Sequence, residues 1–210
     1  LLVRISGGVR VGYRDVYEVD GQAVRDRDRR LERLLSATGA PGVGRAWAIL
    51  DEGSRYNLGP YRNVNAPTLG LLFLRSENQA RLAFKRKGTR TIGGFPAVEV
   101  AFEEKARPTI IHDPRGDDVP ASGRFWIDAT RGTVLRTEIE YDLEPDKSMH
   151  DPSGWSRGGV ATEYRREVPL GAFVPDTMTE LYYFRTVGRI EAVARYGPYR
   201  RFEVSVETEA

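Results

Sequence analysis

Along its second half the chain alternates apolar and polar residues with a period of two, and that period predicts strands. The clearest runs are Ala97–Glu104, Val134–Tyr141, Val160–Val168, Arg189–Tyr196 and Arg201–Glu207. In the last, Phe202, Val204 and Val206 fall on one side and Arg201, Glu203, Ser205 and Glu207 on the other, because successive strand side chains point to opposite faces. An apolar face on every strand has to be covered. The pattern therefore predicts a broad antiparallel sheet with a cover on one side and a charged, solvent-facing surface on the other.

The first half is organised differently. Leu2–Ile5 and Val9–Val19 predict strands around the turn Ser6-Gly7-Gly8, and Val19-Asp20-Gly21-Gln22 has the Asp-Gly pair of a tight hairpin. Leu31, Leu34 and Leu35 stand at helical spacing. A second helix is predicted over Val43–Tyr56, with Ala46, Trp47 and Leu50 inward, before the breaker Asn57-Leu58-Gly59-Pro60. Asn65-Ala66-Pro67 leads into a short helix, Thr68–Leu74, with Pro67 in the first turn where its missing N–H costs nothing. That helix is apolar nearly all round, so it is expected to be buried or to face a cavity.

From Arg81 onward the period is two. Leu82 and Phe84 alternate with Arg81 and Lys85, Gly93-Gly94 turns the chain, and Val98, Val100 and Phe102 share a face against Glu99 and Glu103. Thr109–His112 is a further short strand, followed by the polar loop Asp113–Ser122. A hairpin is expected from Gly123–Asp128 through the turn Ala129–Gly132 to Thr133–Tyr141. After the loop Glu144–Gly159, strands continue through Phe173–Phe184 to the end. The reading is one α+β domain over residues 1–210, with helices early and an antiparallel sheet mostly later.

Composition narrows the function classes. With 210 residues and 40% hydrophobic content the chain can bury one sizeable core. Charged residues make up 30%, but the signs nearly cancel to +2 and alternate locally, as in Arg25-Asp26-Arg27-Asp28-Arg29-Arg30. A nucleic-acid binder concentrates its basic residues on one face, so no nucleic-acid partner is expected. The absence of cysteine excludes disulfides, thiol nucleophiles and thiolate zinc sites. The longest apolar run, near Leu69–Leu74, falls well short of the roughly 20 residues a membrane span needs. The chain starts at Leu1 rather than Met, which suits a mature or trimmed form, and a signal peptide already removed would leave no trace in it.

Few residues carry chemistry. His112-Asp113 with Asp117-Asp118 could bind a metal or supply a base. Metal sites need several spaced ligands, however, and the neighbourhood suits a strand end entering a solvated acidic loop. Asp142, Glu144, Asp146, His150 and Asp151 lack the spacing of a calcium loop. Gly7-Gly8, Gly93-Gly94 and Gly158-Gly159 are not phosphate loops, and no serine sits in a G-x-S-x-G elbow. No catalytic residue, metal or cofactor is expected. The aromatics Trp47, Phe73, Phe84, Phe102, Phe125, Tyr141, Tyr164, Tyr183 and Phe202 either line an apolar pocket or fill a core.

The segment Phe125-Trp126-Ile127-Asp128-Ala129-Thr130-Arg131-Gly132-Thr133-Val134-Leu135-Arg136-Thr137 resembles the "WID-x-x-T-G-x-V-x-R" hairpin of the LolA/LolB-like lipoprotein-carrier superfamily. Val174-Pro175-Asp176-Thr177-Met178-Thr179-Glu180 resembles a "V-P-x-x-M-x-E" strand in such proteins. Tyr17–Gly21, Ser54–Gly59, Asn65–Leu69 and Arg107–Ile111 make nearly the whole chain similar to an exported family of acidobacteria-like bacteria. The resemblance implies a curved, incomplete antiparallel β-barrel with short helices covering its concave face, and a periplasmic or otherwise exported location. It also implies a hydrophobic cavity that holds acyl chains, and an arginine that locks the lid onto backbone carbonyls; Arg55 suits that role by its chemistry.

Two readings of function follow. In the first, a non-catalytic cell-envelope protein binds an acyl chain or another apolar, lipid-like ligand, a lipoprotein included. Trp47, Leu69, Leu72, Phe73, Phe102, Phe125, Tyr141, Tyr164 and Tyr183 would line the site. In the second, a structural or regulatory interaction module has a filled core, and Arg195-Tyr196 and Tyr199-Arg200-Arg201 make protein contacts.

Overall fold

The structure, a computed structural model, describes residues 2–4, 10–12, 16–25, 51, 55–56, 66–112, 116–142, 155–184 and 188–199. The expected helix at Leu31, Leu34 and Leu35, most of Val43–Tyr56 including Trp47, the loop residue His150 and the strand Arg201–Glu207 lie outside the described residues. The chain separates into two compact units, Leu1–Ala66 and Pro67–Ala210.

In the first unit two short hairpins are described. β1 (Leu2–Arg4) pairs antiparallel with β2 (Arg10–Gly12), and β3 (Glu18–Val19) with β4 (Gln22–Ala23). Asp20 and Gly21 both have positive φ, 50° and 76°, as the tight turn requires.

In the second unit two helical turns, α1 (Leu69–Leu72) and α2 (Ser76–Gln79), precede the strands. These are β5 (Leu82–Ile92), β6 (Phe95–Glu104), β7 (Ile111–His112), β8 (Asp118–Val119), β9 (Ala121–Asp128), β10 (Thr133–Asp142), β11 (Trp155–Glu167), β12 (Ala172–Phe184) and β13 (Gly188–Arg195). Seven of them form one antiparallel sheet in the order β13-β12-β11-β10-β9-β6-β5. β7 and β8 pair only with each other, so the sheet is a meander with one small ribbon inserted between β6 and β9. Its two edge strands do not pair with one another, and the sheet is open rather than a closed barrel.

Residues directly opposite one another in the ladders share a face. Phe84, Phe102, Gly123, Ile139, Val160, Glu180 and Ala192 form one row across all seven strands. Beside it run Arg86, Val100, Phe125, Thr137, Thr162, Met178 and Ala194. This first face holds the main core: Phe73 from the α1 end, Phe102, Phe125, Ile139, Val160, Met178 and Tyr182 are all buried. Each such side chain contributes about 1.5–3 kcal/mol by leaving water.

The second face is not simply solvent-facing, which corrects the expectation from sequence. Ala97, Trp126 and Leu135 form a smaller core there, with Ile92, Phe95 and Phe173 packed against it. Leu135 is the extra residue of a bulge between Val134 and Arg136, and a bulge re-aims a side chain. Around this core lies an ion-pair lattice. Arg90 and Arg124 reach the buried Glu99 at 3.1 and 3.3 Å, and Arg136 reaches Glu138 at 2.6 Å and also Glu163. The charged residues Glu99, Glu104, Asp128 and Glu180 are all buried rather than exposed. Each has a partner, which is what makes such burial tolerable.

Two of these carboxylates organise loops. Glu104 accepts the backbone N–H of Ile110 at 2.7 Å and of Ala121 at 3.3 Å, tying the inserted ribbon to the end of β6. Burial nonetheless holds its pKa above the ordinary carboxylate value. Asp128 closes the β9–β10 turn. It accepts the Arg131 guanidinium at 2.8 Å and the N–H groups of Thr130 and Arg131 at 2.9 and 3.3 Å. The Arg131 contact is the main reason its pKa lies below the usual carboxylate range.

Candidate functional site

The first face is where the expected binding residues converge. α1 lies on it through three contacts. The hydroxyl of Tyr164 donates to the carbonyl oxygen of Pro67 at 3.0 Å. Gly70 rests against Thr137 so closely that an added Cβ would stand 2.6 Å from the Thr137 Cβ. Phe73, just past the helix, meets Phe102 at 5.0 Å between ring centroids, and Phe102 stacks on Phe125 at 4.8 Å. Beneath α1, then, the space is filled by rings in contact.

Further along, toward β12, the face changes character. Tyr141 lies across Gly158, where an added Cβ would be 2.6 Å from its ring. Tyr182 continues that row beyond Gly158, with Phe184 tilted against it at 6.2 Å. Glu180 is fully buried on the same strand and accepts the Tyr182 hydroxyl at 2.8 Å. Burial, and next the nearby Glu180, push the Tyr141 phenol well above its ordinary pKa. Met178 receives the Tyr196 hydroxyl at 3.7 Å. The result is an apolar strip of Ile139, Val160, Met178 and aromatic rings with a few polar groups set into it. That composition is the one small-molecule pockets use.

No family model, no curated protein and no solved structure matches this chain.

Of the residues singled out from sequence, Phe73, Phe102, Phe125, Tyr141 and Tyr164 are buried on the first face. Leu69 is half-buried, and Leu72 is 37% exposed, so α1 is not sealed on all sides. Tyr183 falls on the second face opposite Arg157 and is 40% exposed, apart from the others. Arg55 lies in a turn of the first unit with its guanidinium 5.6 Å from the Tyr56 ring centroid.

The acidic loop near His112 is structural in its bonding. His112 Nε2 stands 3.7 Å from Asp118, but Asp118 already accepts the Thr109 N–H at 2.6 Å and Arg107 at 3.2 Å. The Thr109 bond is the main cause of its lowered pKa. Among the described residues no group of three or more His, Asp or Glu side chains is placed to hold a metal ion, and no helix is long and apolar enough to cross a membrane.

Sequence reasoning missed Gly70, Thr137, Thr162, Met178, Glu180 and Tyr182. A signal for the last three was present. Met178, Glu180, Tyr182 and Phe184 stand at period two, so Glu180 shares a side with three apolar residues.

Proposed function

We propose that this chain is a non-catalytic cell-envelope protein that holds an acyl chain or another apolar ligand against the first face, after the manner of the LolA/LolB-like carriers its Phe125–Thr137 segment resembles. In this reading the sheet is the wall of an incomplete barrel, α1 is part of a helical cover on its concave side, and the protein works in an exported compartment. The observation that carries it is the strip from Tyr141 and Ile139 to Met178 and Tyr182, which is apolar, buried and set with a few polar groups. The ligand would lie along that strip rather than under α1, where the Phe73–Phe102–Phe125 contacts fill the space. No step of this function needs a nucleophile or a metal.

The test is uptake of an environment-sensitive fluorescent fatty acid by the purified protein. Saturable uptake that an unlabelled fatty acid displaces is expected; no uptake overturns the reading. A second reading, an interaction module with a filled core, is favoured by one observation: the fit of Gly70 on Thr137 beside a closed stack of rings. Within its contact surface Tyr199 is already pinned, donating to the Pro175 carbonyl oxygen at 2.6 Å.

A further inference from the structure

β5 is an edge strand, and its charge is unlike that of the rest of the sheet. Among the described residues it forms one end of the seven-stranded order and pairs on one side only, with β6. Every residue from Ala83 to Thr91 is exposed. The strand carries Lys85, Arg86, Lys87 and Arg90 and no acidic residue, a charge of +4 in a chain whose 32 basic and 30 acidic residues leave a net of only +2. Several arginines elsewhere in the sheet are matched: Arg157 with Glu140 at 2.7 Å, Arg189 with Glu191 at 2.7 Å, Arg136 with Glu138 at 2.6 Å. On β5 Arg90 pairs with Glu99, while Lys85, Arg86 and Lys87 make no hydrogen bond or ion pair among the described residues.

An open edge presents unpaired backbone N–H and C=O groups to any chain that can lie alongside. What can do so is decided here by charge. A second copy offering the same edge would set lysines and arginines opposite one another, and like charges across a strand pair are destabilising. An acidic strand meets the opposite condition. Lys85 and Arg90 project on the second-face side, opposite Ala101 and Ala97, and Arg86 on the first-face side, opposite Val100. Cations therefore await both faces of an incoming strand. Lys87 is the extra residue of a bulge between Arg86 and Gly88. Phe84, 42% exposed beside Phe102, offers one apolar contact in the same line.

We propose that the open edge of β5 takes up an extended acidic segment of a partner protein as an eighth strand. Main-chain bonds would supply the affinity, and the unmatched cations the choice of partner.

The probe is a short labelled peptide alternating Glu with Val and Thr, followed by fluorescence anisotropy and by hydrogen exchange over residues 82–92. Saturable binding with slowed exchange in that strand is expected. The double variant Lys85→Glu/Lys87→Glu should bind about tenfold more weakly, since two favourable pairs become repulsions. Both positions are exposed, so its thermal midpoint and its fatty-acid uptake should match the parent, which separates this proposal from the ligand site. Two comparators guard the strand claim: the same peptide with prolines in place of the valines, and an oligothymidylate of equal charge. Proline removes ladder donors while keeping the charge. Absence of binding, equal binding of either comparator, or binding indifferent to the charge reversal would overturn the proposal.

Discussion

Replacing Gly70 with alanine tests how α1 is seated. The added Cβ would stand 2.6 Å from both Cβ and Oγ1 of Thr137 and 3.0 Å from its Cγ2. Thr137 cannot swing aside. It is buried, paired across the sheet with Phe125 and Thr162, and the nearest atom is its own Cβ, fixed to the strand backbone. The helix must lift, and with two atoms at 2.6 Å the cost falls in the upper part of the overpacking range, ~2–3 kcal/mol. Alanine returns up to about 1 kcal/mol through its better helix propensity. The net cost is then about 1–3 kcal/mol, or a fall of about 2–12 °C in thermal midpoint for a chain of this length. Circular dichroism melts of the variant measure it. Gly88→Ala is the control: nothing lies within 4 Å of an added Cβ there, so that variant should be neutral or slightly more stable. In a Thr137→Gly background the obstructing atoms are gone, and Gly70→Ala should cost markedly less. A Gly70→Ala variant as stable as the parent, or one whose cost is unchanged in the Thr137→Gly background, would refute the seating of α1 on β10.

Three further outcomes follow from the geometry. Tyr182→Phe removes the bond to the buried Glu180 carboxyl and should cost about 1–3 kcal/mol by urea unfolding; a loss below about 0.5 kcal/mol would show that the bond is not made in a dry site. Asp118 and Asp128 have folded pKa values below their unfolded ones, so the stability they add is present above the ordinary carboxylate range and is lost as pH falls through the folded values. Glu104, raised by burial, acts with the opposite sign. Urea midpoints should therefore fall below about pH 4, less steeply for Asp128→Asn, and parallel profiles would contradict the Arg131–Asp128 account. Burial pushes the phenols of Tyr164 and Tyr199 up to about 12. In an ultraviolet titration they should ionise after the exposed tyrosines, and Tyr164→Phe should remove part of the late phase; an unchanged late phase would sink that assignment.

Much of the sheet was legible because strand period is local information. The expected Ala97–Glu104, Val134–Tyr141 and Arg189–Tyr196 correspond to β6, β10 and β13 within a residue or two, and the turns at Asp20-Gly21, Gly93-Gly94 and Gly132 have the positive φ their glycines suggested. Partnerships between distant segments were not legible. β8 was hidden in a polar loop because Asp118 and Thr109 meet only after the chain has crossed from β6. The period of two sets Glu104 on the apolar side with Phe102, but the partners that make its burial tolerable, Ile110 and Ala121, come from that crossing. The small core at Trp126 needed a bulge at Leu135 and two turns bringing Ile92, Phe95 and Phe173 to the same place. For the candidate site, the aromatics on β6, β9 and β10 were visible as apolar positions, but Tyr183 was assigned to the wrong side. The β11–β12 register pairs it with Arg157. Gly70 carries no periodic mark at all; its role exists only in the approach of α1 to Thr137.

Native mass spectrometry of the protein isolated from its own cells without detergent tests the ligand-binding reading most directly. The account predicts a mass above that of the same polypeptide measured after denaturation, by one or more acyl-bearing molecules released on gentle activation and recovered by organic extraction. A bare polypeptide mass, together with an empty extract, would contradict it and leave the filled-core interaction module in its place.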